Sequence, residues 1–187
     1  NADDPTVLIG AVGGSVTFQS RNPDRISAFW TFGTVPIVTV IFRDGPQAVF
    51  SVKIYEKRFS ISEDGNALTL SQLSMEDAGN YSVRINSKIS TFTLHVYRPL
   101  PQPTVTCEAQ NCSAGSCLLS LRCSAPGAGL GSVRLGWSRG QRPWAEGAAL
   151  QLLREPSPEG PEPLTCTARN PVSSSNVTVT DPGGLCN

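Results

Sequence analysis

The first 106 residues of this 187-residue chain contain no cysteine, and all six cysteines lie between Cys107 and Cys186. Histidine is almost missing, with His95 the single copy. One histidine builds no multi-histidine metal centre, and His95 sits in an alternating stretch where it reads as solvent-facing rather than as an acid–base group. An excess of charge is missing too: 15 Lys and Arg balance 15 Asp and Glu. No basic field invites nucleic acid, and no polybasic stretch invites a membrane surface. No apolar run approaches the roughly 18 residues that a membrane-crossing helix needs. No segment keeps a helical period. The carboxylate pairs Glu63-Asp64 and Glu76-Asp77 lie at turns, where structural roles outweigh acid–base chemistry. Together these absences exclude a nucleic-acid binder and argue against an enzyme, a bound metal or any cofactor.

What is present points to an oxidising compartment. Six cysteines crowd the last 81 residues, as in secreted and surface proteins. Three N-glycosylation sequons agree, at Asn80-Tyr81-Ser82, Asn111-Cys112-Ser113 and Asn176-Val177-Thr178. The Cys107-x4-Cys112 and Cys112-x4-Cys117 spacings mimic metal ligands, but disulfides are the expected state in that compartment. The chain reads as a trimmed mature ectodomain whose anchor, if it has one, lies outside it, and a soluble secreted protein would read the same.

The two halves differ in texture. Trp137 and Trp144 are the only aromatics after residue 97, whereas glycine and proline are dense there. The proline-rich Arg98-Pro99-Leu100-Pro101-Gln102-Pro103 marks a stiff boundary between a domain at 1–98 and a second at 99–187. Short apolar or alternating runs between turn signals predict an all-β fold. In the first half these are 15–19, 26–32, 35–42, 49–55, 59–62, 67–70, 81–85 and 91–96, and in the second 117–123, 133–138, 150–154, 164–168 and 176–180.

Particular residues refine this to two tandem immunoglobulin-like sandwiches. Gly14-Ser15-Val16-Thr17-Phe18 precedes a core tryptophan, Trp30, and Asp77-Ala78-Gly79-Asn80-Tyr81 resembles a tyrosine corner with Arg58 as the partner of Asp77. Ser20 and Val83 stand where a variable-type domain carries its inter-sheet cysteines, so packing around Phe18, Trp30, Tyr81 and Val83 must replace that bridge. The second half has Cys123, Trp137 and Cys166 in the order of a constant-type domain, which predicts a Cys123–Cys166 bridge. Six cysteines permit 15 pairings, and the residues alone do not choose the rest.

The chain resembles the signalling lymphocytic activation molecule (SLAM) family, whose ectodomains join a disulfide-free variable domain to a disulfide-rich constant-type one. The resemblance rests on 9–17, on Met75-Glu76-Asp77-Ala78-Gly79-Asn80-Tyr81, on Cys117-Leu118-Leu119-Ser120-Leu121-Arg122-Cys123, and on Cys166-Thr167-Ala168-Arg169-Asn170-Pro171-Val172-Ser173. It implies a Cys117–Cys186 bridge and leaves Cys107–Cys112 as a small local loop beyond the family's usual pair. It further implies a membrane-anchored immune receptor at the cell surface. Its partner is expected to be a second copy in trans, with another SLAM family ectodomain as the alternative, including service as a soluble or viral decoy.

The face implied for recognition is the front sheet, strands G, F, C, C′ and C″ of such domains. If Trp30 points inward, Phe29 points outward, because side chains alternate along a strand. The run 35–42 is apolar on both faces apart from Thr39 and so promises an exposed apolar strip. The expected partner-binding residues are Phe29, Thr31, Val38, Val40, Arg84, Asn86, Lys88, Thr91 and Thr93. Arg84 and Lys88 are expected to face Asp44 or Glu56 of an opposing copy. Asn80 is expected low on the domain, where its glycan leaves the upper sheet clear.

Overall fold

A computed structural model describes residues 4–21 and 25–187. The chain divides into two compact units, Asn1–Arg98 and Pro99–Asn187. The first contains β1 (Thr6–Ala11), β2 (Val16–Gln19), β3 (Ser27–Phe32), β4 (Val35–Ile41), β5 (Gln47–Phe50), β6 (Phe59–Ile61), β7 (Ala67–Leu70), β8 (Gly79–Ile85) and β9 (Lys88–Tyr97). A six-stranded sheet runs β1-β9-β8-β3-β4-β5, and a three-stranded sheet runs β2-β7-β6. Strand β1 pairs parallel with β9, and the other pairs are antiparallel. Two features depart from the sequence reading. Strand β1 appears where no strand was expected, and the expected strand at 49–55 pairs only as far as Phe50 before a single helical turn, Tyr55–Arg58.

Between the sheets lies an aromatic cluster. Phe18 on β2 has its ring centroid 4.7 Å from Tyr81, 5.4 Å from Phe92 and 6.1 Å from Trp30. These three partners sit on β8, β9 and β3, so one ring ties the smaller sheet to the middle of the larger. Phe18 and Trp30 are fully buried, and Val83 is nearly so. The Trp30 indole N–H finds no acceptor among the described residues, so shape alone holds that ring. Ser20 is buried and donates its hydroxyl to the Asn66 carbonyl at 3.0 Å.

The lower end is closed by polar groups. Arg58 grips Asp77 with both guanidinium nitrogens, at 3.1 and 2.6 Å, a bidentate geometry that neutral pairs do not match. Asp77 also accepts the Ser74 backbone N–H at 2.8 Å, and the Tyr81 hydroxyl donates to the Asp77 carbonyl at 2.6 Å. Burial pushes the Asp77 carboxyl up, but the bonds from Arg58 and Ser74 outweigh it and hold it below its ordinary value. Burial likewise pushes the Tyr81 phenol well up, so it stays a donor.

The second unit contains β10 (Thr104–Ser113), β11 (Ser116–Ser124), β12 (Arg134–Arg139), β13 (Arg142–Glu146), β14 (Ala149–Arg154), β15 (Leu164–Arg169) and β16 (Ser174–Val179). One sheet runs β10-β11-β14 and the other β13-β12-β15-β16. Strands β10 and β13 are the unexpected ones. Both are edge strands, and neither shows clean alternation; β13 also carries Pro143, which edges tolerate. Trp137 is buried and donates its indole N–H to the Gly147 carbonyl at 3.0 Å.

Cys123 is bonded to Cys166, joining the two sheets. The other two expected bridges are overturned: the structure pairs Cys107 with Cys186 and Cys112 with Cys117. Cys107 and Cys112 share strand β10, and five residues of extended chain separate their Cα atoms by about 16 Å, far beyond disulfide reach. Cys112 and Cys117 are instead direct cross-strand partners either side of the Ala114-Gly115 turn, with Cα atoms 4.0 Å apart. Cys117 therefore stands at the hairpin tip. The final turn, Pro182–Cys186, packs against β10 and brings Cys186 to Cys107, which lies opposite Leu121.

Three measurements check this account. Phe18→Ala should cost about 3–5 kcal/mol in urea unfolding, the range for an emptied aromatic core site. The stabilising effect of Asp77 over Asp77→Asn should be full at neutral pH. It should disappear as the pH falls below the ordinary 3.8 and through the depressed folded value, because a depressed carboxylate contributes only while ionised. On loop-closure entropy, removing Cys107–Cys186 should cost about 4–5 kcal/mol and removing Cys112–Cys117 about 2, with non-reducing peptide mass confirming both pairings.

Candidate functional site

Cross-strand partners share a sheet face, so the register fixes the outer face of the six-stranded sheet residue by residue. Trp30 is buried, and its neighbour Phe29 is 38% exposed. Phe29 pairs with Thr39 on β4 and with Arg84 on β8. Thr39 pairs in turn with Val49 on β5, and Arg84 with Ile89 on β9. One continuous row, Ile89–Arg84–Phe29–Thr39–Val49, thus crosses five strands and spans about 19 Å at the usual strand spacing. Its two ends and its centre are exposed apolar side chains.

Hydroxyl groups border the row on one side. Thr31 and Ser82 hydrogen-bond through their side chains at 2.7 Å, and Ser82 pairs with Thr91. On the other side lie Ser27, Ile41 and Gln47. Arg84 is exposed and has no carboxylate within ion-pair distance among the described residues. None of the outward-facing strand residues named here carries a negative charge. The surface can therefore bury apolar area at its middle while keeping a polar rim, the anatomy of a modest protein–protein interface.

Of the residues expected to bind a partner, Phe29, Thr31, Arg84, Thr91 and Thr93 stand on this face, and Asn86 opens the two-residue turn between β8 and β9 at φ 58°. Val38 and Val40 do not. They are 1% and 0% exposed and belong to the core, because their partners, Trp30 and Ala28, face inward. Consecutive Ile37 and Val38 are both buried where the register against β3 shifts opposite Trp30/Thr31, which is why strict alternation fails on β4. Lys88 is corrected as well: it pairs with Ile85, a core residue, and so leaves the hairpin end on the inner-face side. Thr39, Ile41, Val49 and Ile89 were missed. Ile89 was recoverable, since inward Phe92, Leu94 and Val96 already set its parity.

Asn80 lies on the outer face itself, in a row with Thr93 and Val7, and accepts a hydrogen bond from Thr93 at 3.2 Å. It is four residues along β8 from Arg84, about 13 Å of extended strand. A glycan there borders the face rather than sitting wholly below it. Asn111 and Asn176 are exposed on β10 and β16. His95 is exposed, in register with Ile9.

No protein-family model matches the chain. Among curated proteins, it is 34% identical to human T-lymphocyte surface antigen Ly-9 over 97% of this chain and 29% of that protein. It is 30% identical to mouse SLAM family member 5 over 95% of this chain and 55% of that protein, and 36% identical to human SLAM family member 7 over 62% and 37%. The chain thus spans between about a third and about half the length of these relatives. In fold it is similar to the CD2-binding domain of CD58, with a TM-score of 0.62 at 18% identity over 95% of this chain and 97% of that one. It is similar also to murine CEACAM1b, with a TM-score of 0.66 at 15% identity over 92% and 94%. With relatives that are receptors and not enzymes, matched across both of its domains, the chain belongs to the SLAM family of cell-surface immune receptors.

Proposed function

We propose that this chain is the recognition ectodomain of an immune adhesion and signalling receptor, anchored in the membrane in its full-length form. Its first domain binds a second copy in trans through the outer face of the six-stranded sheet, and its second serves as a glycosylated stalk. The observation that carries this reading is the row Ile89–Arg84–Phe29–Thr39–Val49.

A two-fold contact needs a patch that complements itself. An axis through Phe29 sets Arg84 of one copy against Thr39 of the other and Ile89 against Val49. The two guanidinium groups then stand about 10 Å apart, one strand to either side of the axis, and each can donate to the Thr39 hydroxyl of the other copy while its head reaches the polar rim. The apolar ends meet apolar ends. Heterophilic binding to another SLAM family ectodomain would use the same face without this symmetry.

Sedimentation equilibrium separates the two. The wild-type chain should show a concentration-dependent mass, and Phe29→Asp should abolish it while the domain stays folded, at a cost of about 1 kcal/mol in unfolding stability for a half-covered strand position. Val38→Asp, at a core position, should unfold the domain. Unchanged dimerisation of Phe29→Asp would remove the face from consideration. A strictly monomeric wild-type chain that binds a different family ectodomain would establish the heterophilic mode instead.

A further inference from the structure

The three-stranded sheet of the second domain carries two leucines that are exposed among the described residues. Leu118 on β11 and Leu153 on β14 are direct cross-strand partners on the outer face of the three-stranded sheet, 39% and 56% exposed. Their sequence neighbours Leu119 and Leu152 point the other way and are buried in the core. The next row on the same outer face is Ala109, Ser120 and Gln151, so no second large apolar side chain adjoins the leucine pair there.

The row has a third member. Asn111 on β10 is the cross-strand partner of Leu118, and it is exposed. It is also the acceptor of the sequon Asn111-Cys112-Ser113. Direct partners have Cβ atoms about 5 Å apart, so the Asn111 side chain lies one strand from Leu118 and about 10 Å from Leu153. One pyranose ring spans roughly one strand spacing. The first two sugars of an N-linked chain laid along the row therefore reach both leucines.

The Cys112–Cys117 bridge fixes this arrangement. It ties β10 to β11 at the pair adjacent to Asn111 and Leu118, so neither strand can slip by the one residue that would turn Asn111 to the opposite face. The other two sequons lack such neighbours. Thr93 stands between Asn80 and Val7, and Asn176 lies across from Thr167 and then Gly136.

We propose that the N-linked glycan on Asn111 lies across Leu118 and Leu153 and is a structural part of the second domain. The C–H faces and N-acetyl methyl groups of the core sugars cover the leucines while the hydroxyls stay in water. Apolar area is then removed from solvent without stranding a polar group. This proposal does not depend on the recognition face of the first domain.

The test uses the chain secreted from mammalian cells, with glycan occupancy read by intact mass. Ser113→Ala removes the sequon but leaves Asn111 and both leucines in place. It should lower the melting temperature of the second domain by about 4–8 °C, an effect of ordinary single-site size, and raise binding of an apolar fluorescent dye. In the Leu118→Thr/Leu153→Thr background the same change should move neither readout. Leu153→Thr alone, at the more exposed position, provides the comparison if the double variant is not secreted, and should reduce the loss. An unoccupied Asn111 in the secreted wild-type chain, or an equal loss with and without the leucines, would overturn the proposal.

Discussion

The contact between Phe18 and Trp30 decides most of what the first domain presents to the outside. No cysteine joins its sheets, so the aromatic cluster is what holds β2 against β3, β8 and β9. Once Trp30 is inside, the pleat leaves no freedom: Phe29 is out, and Val38 and Val40 follow Trp30 and Ala28 inward. A one-residue slip of β3 would turn Trp30 outward and Phe29 inward, emptying the core and taking the centre out of the row that crosses five strands. The same packing that stabilises the sandwich thus composes its surface.

Much of this was legible in the sequence, and the failures have physical causes. Trp30, Tyr81, Asp77 and Cys123 belong to local patterns with fixed spacings, and the alternation of β9 could be read directly from Phe92, Leu94 and Val96. The strip on β4 could not, because Ile, Val and Pro fill both of its faces and composition then carries no parity. Only the register against β3, with its irregularity opposite Trp30/Thr31, assigns each valine a side. Strands β10 and β13 escaped notice for a related reason. Edge strands bury little, so their sequences need not alternate.

The disulfides make the same point more sharply. Pairing depends on which strands lie side by side, and Cys112 and Cys117 become neighbours only when the hairpin between β10 and β11 is known. A family pattern taken residue by residue sent Cys186 to the hairpin tip, whereas the final turn delivers it to Cys107. Spacing along the chain did not distinguish the two possibilities. Strand adjacency did.

The Cys107–Cys186 bridge has a mechanical consequence. For tension applied at the two ends of the second domain, the load passes from Cys107 to Cys186 through a covalent link, and the 79-residue span between them bears none of it. Roughly 270 Å of contour length is thereby withheld from extension. The first domain has no such shunt. Its first and last strands, β1 and β9, lie parallel over six residue pairs, so pulling on its ends loads their hydrogen bonds together in shear rather than unzipping them one by one. Under force one domain is inextensible by chemistry, and the other resists only until a short ladder slides.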